Sequence, residues 1–261
     1  MSSLVVLFSL LLFTTQPMST KNPLPPAFPQ PSLIELSQQL LLAAKTQAPT
    51  DTIAAQLSRI QEKDLTGQLV SDNDKKAFWI NLYNAYTQII LSKNPEQYKK
   101  RSTFFGNKVI FVAGKHLSLD QIEHGILRRS KVKWSLGYLN KLFPAAFEKR
   151  NRVGKVDYRI HFSLNCGARS CPPIAFYKSG QLDQQLDIAT KVYLQGECVY
   201  DSNNNAVIVP ALMNWFRRDF GGKKKMKILL KKLSVVPENK NPAIHFKKYN
   251  WDLFLANYKI E

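Results

Sequence analysis

Acidic residues are scarce in this sequence: 19 Asp and Glu stand against 37 Lys and Arg in 261 residues, a formal charge of +18. That balance bears on partners and solubility, not on fold, and it admits nucleic acid, anionic lipid and acidic glycans. Long apolar runs are missing too. The run at the start, Leu4 to Phe13, falls short of the roughly 20 residues that span a bilayer and has the length of a signal-peptide core. No Lys or Arg precedes it, no small-x-small cleavage pattern stands out before Lys21, and no cysteine follows it for lipidation. The expectation is an exported protein, periplasmic or extracellular, with residues 1–20 as signal peptide or N-terminal anchor. Cysteine is rare: with only Cys166, Cys171 and Cys198, any disulfide leaves one thiol over. There is no C-x-x-C pair and no internal repeat.

With 44% hydrophobic and 21% charged residues, the chain can bury a real core. Prolines make residues 21–31 an extended tether. Ser32 with Glu35 reads as a capping box, Asp51 as the cap of a helix through Gln61, and Ser71 with Asp74 as the start of a long helix. That last helix is apolar on most sides, through Phe78, Trp79, Leu82, Tyr83 and Tyr86, and its narrow remainder carries Asn81, Asn84 and Gln88. A helix of this kind is buried. Its amides then either find internal partners or mark a solvated edge.

Lys108 to Ser118 suggests a hairpin turning at Gly114. Ser118 with Gln121 then caps "LDQIEHGILRR", where Glu123 projects into an apolar face and must be paired, hydrogen-bonded or protonated. "DYRIHFSL" alternates as a strand, with Arg159, His161, Ser163 and Asn165 on one side. Further on come a helix around "LDQQLDIATKVYLQ", a hairpin in "ECVYDSNNNAVIVP", a helix near "ALMNWFRRDF", and "KKKMKILLKKL", whose lysines read as the solvated side of a packed helix. This order predicts an α+β fold, one compact domain over 32–261 with helices packed around small antiparallel sheets and hairpins.

The chemistry centres on "RIHFSLNCGARSCPPI", where Gly167 permits a tight turn and Pro172 with Pro173 stiffens its exit. Cys166 and Cys171 are close enough in sequence to form a disulfide. A nucleophilic thiol would instead need a base, an orienting partner and oxyanion donors. His124, His161 and Glu123 supply the first two; Asn81, Asn84 and Asn165 supply donors, and Arg169 could lower the thiol pKa. On a strand, His161 would point away from Cys166, so His124 is the preferred base. Thiol–disulfide exchange is a further reading. A zinc site would lack a second close-spaced ligand pair.

Taken together, "KKAFWINLYNAYT", "LSLDQIEHGILRR", "RIHFSLNCGARSCPP", "LDQQLDIATKVYL", "WFRRDF" and "YNWDL" resemble the domain-of-unknown-function 547 (DUF 547) family from about Lys75 to Leu253. The resemblance implies that Trp79, Asn81, Tyr83, Asn84, Asp120, Glu123, His124, Arg128, Arg159, His161, Asn165, Cys166, Gly167, Cys171 and Pro172 occupy the family's signature positions. Tyr158 departs from the family's usual proline, and Gln121 from a frequent acid. Family members are similar to bacterial secreted proteins of unassigned role; some carry a glutaredoxin-like domain that this sequence does not contain.

The expected function is a Cys/His hydrolase or acyl transferase, with Cys166 as nucleophile, His124 as base, Glu123 and His161 beside them, and Asn81 or Asn84 as orienter or oxyanion donor. Arg159, Asn165, Arg128 and Cys171 are expected to bind or position. The alternative is a non-enzymatic module stapled by a Cys166–Cys171 disulfide. Partners would be a small molecule, peptide or acyl substrate in the pocket and an anionic envelope component on the basic surface, rather than nucleic acid. No cofactor or metal is called for.

Overall fold

The structure is a computed structural model and describes residues 31–259; the expectations for residues 1–30 lie outside it. Helix α1 (Leu33–Thr46) opens on the Ser32/Glu35 capping box, and α4 (Asp72–Lys93) on the Ser71/Asp74 box, both reciprocal as expected. Between them lie α2 (Asp51–Arg59) and α3 (Glu62–Gln68). The helix expected from Asp51 to Gln61 forms as α2 but ends at Arg59, and α3 follows it unannounced. Asp51 is not the cap of α2 either: that position is Thr50, which makes no side-chain cap bond.

The axis of the molecule is α4. Phe78, Trp79, Ile80 and Leu82 are fully buried along it, and α1 packs its Leu36, Leu40 and Leu41 face into the same cluster. Each such side chain contributes roughly 1.5 to 3 kcal/mol by leaving water. Because α4 is covered on all sides, its amides are buried as well and must bond inside the protein.

A short α5 (Arg101–Gly106) leads to the expected hairpin, β1 (Ile110–Val112) with β2 (Lys115–Leu117). Its two-residue turn places Ala113 and Gly114 at φ of +49° and +69°. Next comes a wide π-helical turn, Gln121–Leu127, introduced by reciprocal bonds between Ser118 and Gln121. After it follow α6 (Ala146–Asn151), α7 (Leu182–Glu197), β3 (Val199–Asp201), β4 (Ala206–Val209), α8 (Leu212–Trp215), α9 (Gly222–Lys232) and β5 (Ala243–Phe246). β3 and β4 form the expected antiparallel hairpin; β5, which the sequence did not announce, adds in parallel to β4 with Val207 opposite Ile244. Met226 and Leu230 of α9 pack on this sheet as a second apolar cluster, and the helix's lysines lie outside. The architecture is α+β.

One expected strand is not there. Tyr158–Phe162 is a 3-10 turn, capped by Asp157, whose side chain accepts the Arg159 N–H. The apolar alternation is real, but its members go to different places: Ile160 joins the α4 cluster and Phe162 the β-sheet cluster. A strand would put both on one face. His161, between them, is buried where the two clusters meet. Among the described residues no helix is long and apolar enough to cross a membrane.

Candidate active site

A cavity of about 290 Å³ opens between the two clusters. Cys166, Glu123, His124 and His161 all contribute to its lining, and Phe105, Trp215, Phe216, Tyr249 and Trp251 supply aromatic walls. Tyr83, Asp120 and Lys133 complete the polar side.

The cysteine turn is held by amides. Asn84 donates to the Ser163 carbonyl at 2.9 Å and accepts the Asn165 N–H at 2.8 Å. Asn165 in turn donates to the Pro172 carbonyl and accepts the Gly167 N–H, closing the loop on itself. Gly167 sits at φ +86°, and a Cβ there would press on Leu91 at 2.8 Å, so both conformation and space call for glycine. Asn81 brackets Tyr177 at its N–H and C=O and also reaches Ser37. Both α4 asparagines therefore hold backbone: Asn81 uses both of its amide hydrogens, on Tyr177 and Ser37, and Asn84 uses one, on Ser163.

Cys166 and Cys171 are free thiols with sulfurs 2.8 Å apart, beyond the roughly 2.05 Å of a disulfide. The hydrogen bond shared with Cys171 lowers the Cys166 pKa to about 7 against the opposing effect of burial, helped by the Tyr249 hydroxyl at 3.3 Å and the Ala168 N–H. Burial pushes Cys171 itself well up. The two thiols are thus unequal, Cys166 held below the usual thiol range and Cys171 above it. Arg169, expected to help, is exposed and stacks on Phe254. Cys198 stands apart in the β-sheet cluster, pushed up to about 12 by burial.

The two histidines differ in what holds them. Arg128 is buried and can only donate, so its Nη1, 2.9 Å from His124 Nδ1, occupies that nitrogen's lone pair. The ring proton then sits on Nε2, 3.6 Å from Asp120 Oδ1. Burial, then the charge of Arg128, holds His124 well below the usual imidazole range. Neutral and with its lone pair engaged, His124 is not available as a base.

His161 is arranged differently. Asp219 Oδ2 accepts from His161 Nε2 at 2.9 Å and from Arg128 Nε at 2.6 Å. The His161 and Arg128 bonds overcome burial and depress the Asp219 pKa to about 2, so this carboxylate is ionised and Nε2 carries the proton. Burial keeps His161 below its ordinary value, leaving Nδ1 as an unprotonated lone pair on a side chain that lines the cavity. Phe216 stacks on the ring at 3.8 Å and fixes its plane.

Glu123 also lines the cavity, its side chain 14% exposed and 3.4 Å from the Tyr83 hydroxyl. Burial raises its pKa to about 7, partly countered by Arg128. Of the remaining expected residues, Arg159 lies elsewhere, in an ion network with Asp157, Asp183 and Asp187. Asp219 and Tyr249 were not singled out in the sequence, although both fall inside blocks that carry the resemblance.

Residues 68–194 match the family model described as "Protein of unknown function, DUF547", so this stretch of the chain is a DUF547 domain. The match takes in Glu123, His161 and both turn cysteines, whereas Asp219 and the aromatic walls from Trp215 onward lie beyond it. No curated protein and no solved structure matches the chain.

Proposed function

We propose that this protein is a thiol-dependent acyl hydrolase or transferase with Cys166 as its nucleophile. The observation that carries the proposal is a donor-stabilised thiol sharing one aromatic-walled cavity with a histidine fixed by a buried carboxylate. The Cys166 thiolate adds to an ester, thioester or amide carbonyl. As the tetrahedral intermediate collapses, the leaving group departs with a proton from Glu123, which is half protonated near neutral pH. The thioester left on Cys166 is then attacked by water or an acceptor alcohol, whose proton passes to His161 Nδ1, and the thiolate is released; His161 gives that proton to solvent and Glu123 takes one back, which restores the starting state. Asp219 stabilises the imidazolium formed in that step. The aromatic walls favour an apolar acyl group.

The test is turnover of p-nitrophenyl esters of increasing chain length, with intact-mass detection of an acyl adduct. Cys166→Ser is expected to abolish turnover and adduct at unchanged Tm; turnover that survives this change would sink the proposal.

The sulfur pair favours a second reading, thiol–disulfide exchange, in which Cys166 attacks a substrate disulfide and Cys171 then displaces the mixed disulfide, leaving the substrate reduced and the two cysteines oxidised. Cys171→Ser separates the two: it should trap a mixed disulfide in the exchange reading, and leave ester turnover slowed but present in the acyl reading. Export of the chain belongs to the same proposal, and N-terminal sequencing of the protein from fractionated cells tests it.

A further inference from the structure

The segment from Lys131 to Phe143 presents its large apolar side chains to water. Phe143 is 94% exposed, Leu142 87%, Trp134 77%, Tyr138 53% and Leu139 51%. Scattered surface apolar residues need no explanation, but five within ten positions on one loop do.

The loop is not slack chain. Val132 N–H donates to the Leu139 carbonyl at 3.0 Å, Lys141 N–H to Ser130 at 2.8 Å, and Arg218 N–H to Leu136 at 3.0 Å. Leu136 and Gly137 both stand at positive φ, +53° and +86°, a costly conformation for leucine that surrounding bonds must enforce. Gly137 lies directly over Asp219 and Arg128, with no room for a Cβ. The inner face of the loop is thus clamped on the buried ion pair, and Trp134 and Tyr138 are turned outward.

Charge indicates what the outer face meets. No acidic residue occurs between Glu123 and Glu148; of the cations in that interval Lys133 pairs with Asp120 and Lys141 with Glu148, each at 2.8 Å, while Arg129 and Lys131 make no ion pair among the described residues. Cores of protein interfaces are depleted in lysine. Lysines interleaved with Trp, Tyr and protruding Leu and Phe suit a lipid interface instead, where aromatic rings sit at the headgroup level and cations meet anionic headgroups.

We propose that the Lys131–Phe143 loop docks the protein on an anionic lipid bilayer, with Leu142 and Phe143 entering the acyl boundary, Trp134 and Tyr138 at the interface, and the unpaired Arg129 and Lys131 on the headgroups. This does not depend on the reaction at Cys166. Lys133, on the same loop, also lines the cavity, so docking brings the bilayer close to its mouth.

The experiment is co-sedimentation of the full chain with vesicles of phosphatidylcholine, alone or mixed with phosphatidylglycerol, read against a Leu142→Ser, Phe143→Ser double variant. Both positions are exposed, so the variant's Tm should equal the parent's. The parent is expected to partition onto the phosphatidylglycerol vesicles and be released by salt, and the variant to partition about tenfold less. Bromine-labelled acyl chains should quench fluorescence in the parent more than in Trp134→Phe. Equal partitioning of parent and double variant, or indifference to phosphatidylglycerol, would overturn the proposal. So would light scattering that shows a dimer split by the double variant with vesicle partitioning unchanged, which would assign this face to a second copy.

Discussion

The sulfur of Cys171 is held 2.8 Å from that of Cys166, and the hydrogen bond between them lowers the Cys166 pKa. Alkylation of Cys166 should therefore rise with pH through a midpoint near 7, where an ordinary thiol would titrate near about 8.5. In Cys171→Ala the midpoint should move up by about one unit, because that hydrogen bond is gone. Iodoacetamide labelling rates between pH 5 and 10, resolved by peptide mass spectrometry, measure both; an unmoved midpoint would show that the pair is not coupled in this way.

Glu123 couples the site to stability. Its folded pKa is raised from 4.5 to about 7, so the folded state keeps a proton that the unfolded chain releases. The favourable contribution is complete below 4.5 and is lost as pH rises through 7, amounting to about 3 kcal/mol. Glu123→Gln removes that dependence. Its Tm should pull ahead of the parent's progressively between pH 4.5 and 7, while ester turnover falls; a Tm difference independent of pH would contradict the assignment.

Asp219 has the opposite sign. Its folded pKa is depressed from 3.8 to about 2, so its contribution is present above 3.8 and is lost as pH falls through 2, roughly 2 kcal/mol over that window. Asp219→Asn should flatten the acid limb of the stability curve. The change also strands the buried Arg128 charge, and a loss of about 3 to 5 kcal/mol at neutral pH is expected in urea unfolding.

Asn84→Ala is expected to lower stability by about 2 to 4 kcal/mol, since both the Ser163 carbonyl and the Asn165 N–H lose their partner. Cys166 alkylation should slow in parallel, because the turn carrying it is released. A variant with full stability and slow ester turnover would instead make Asn84 an oxyanion donor.

Local signals were legible in the sequence. The boxes at Ser32/Glu35, Ser71/Asp74 and Ser118/Gln121 announce themselves within four residues, and all three form. The buried amides of α4 followed from a helix that is apolar nearly all round. What failed needed tertiary knowledge. Alternation over Tyr158–Phe162 looks like a strand unless one knows that Ile160 and Phe162 serve two separate cores. Asp219 lies 58 positions from His161, and Tyr249 lies 83 from Cys166, with no periodicity to connect them. The choice between His124 and His161 turned on where the Arg128 guanidinium points, which no spacing reveals.

The wide turn at Gln121–Leu127 makes the site sensitive to chain length as well as to residue identity. Its bond from Arg128 N–H to the Glu123 carbonyl spans five residues, one more than an α-helix uses. Removing any one residue from this turn would let it relax into an ordinary α-helix with better-bonded backbone. The same deletion would swing Arg128 by about 100° around the axis, away from both His124 and Asp219. At this place a more regular helix would be a less functional one, and substitutions should be tolerated where single-residue deletions are not.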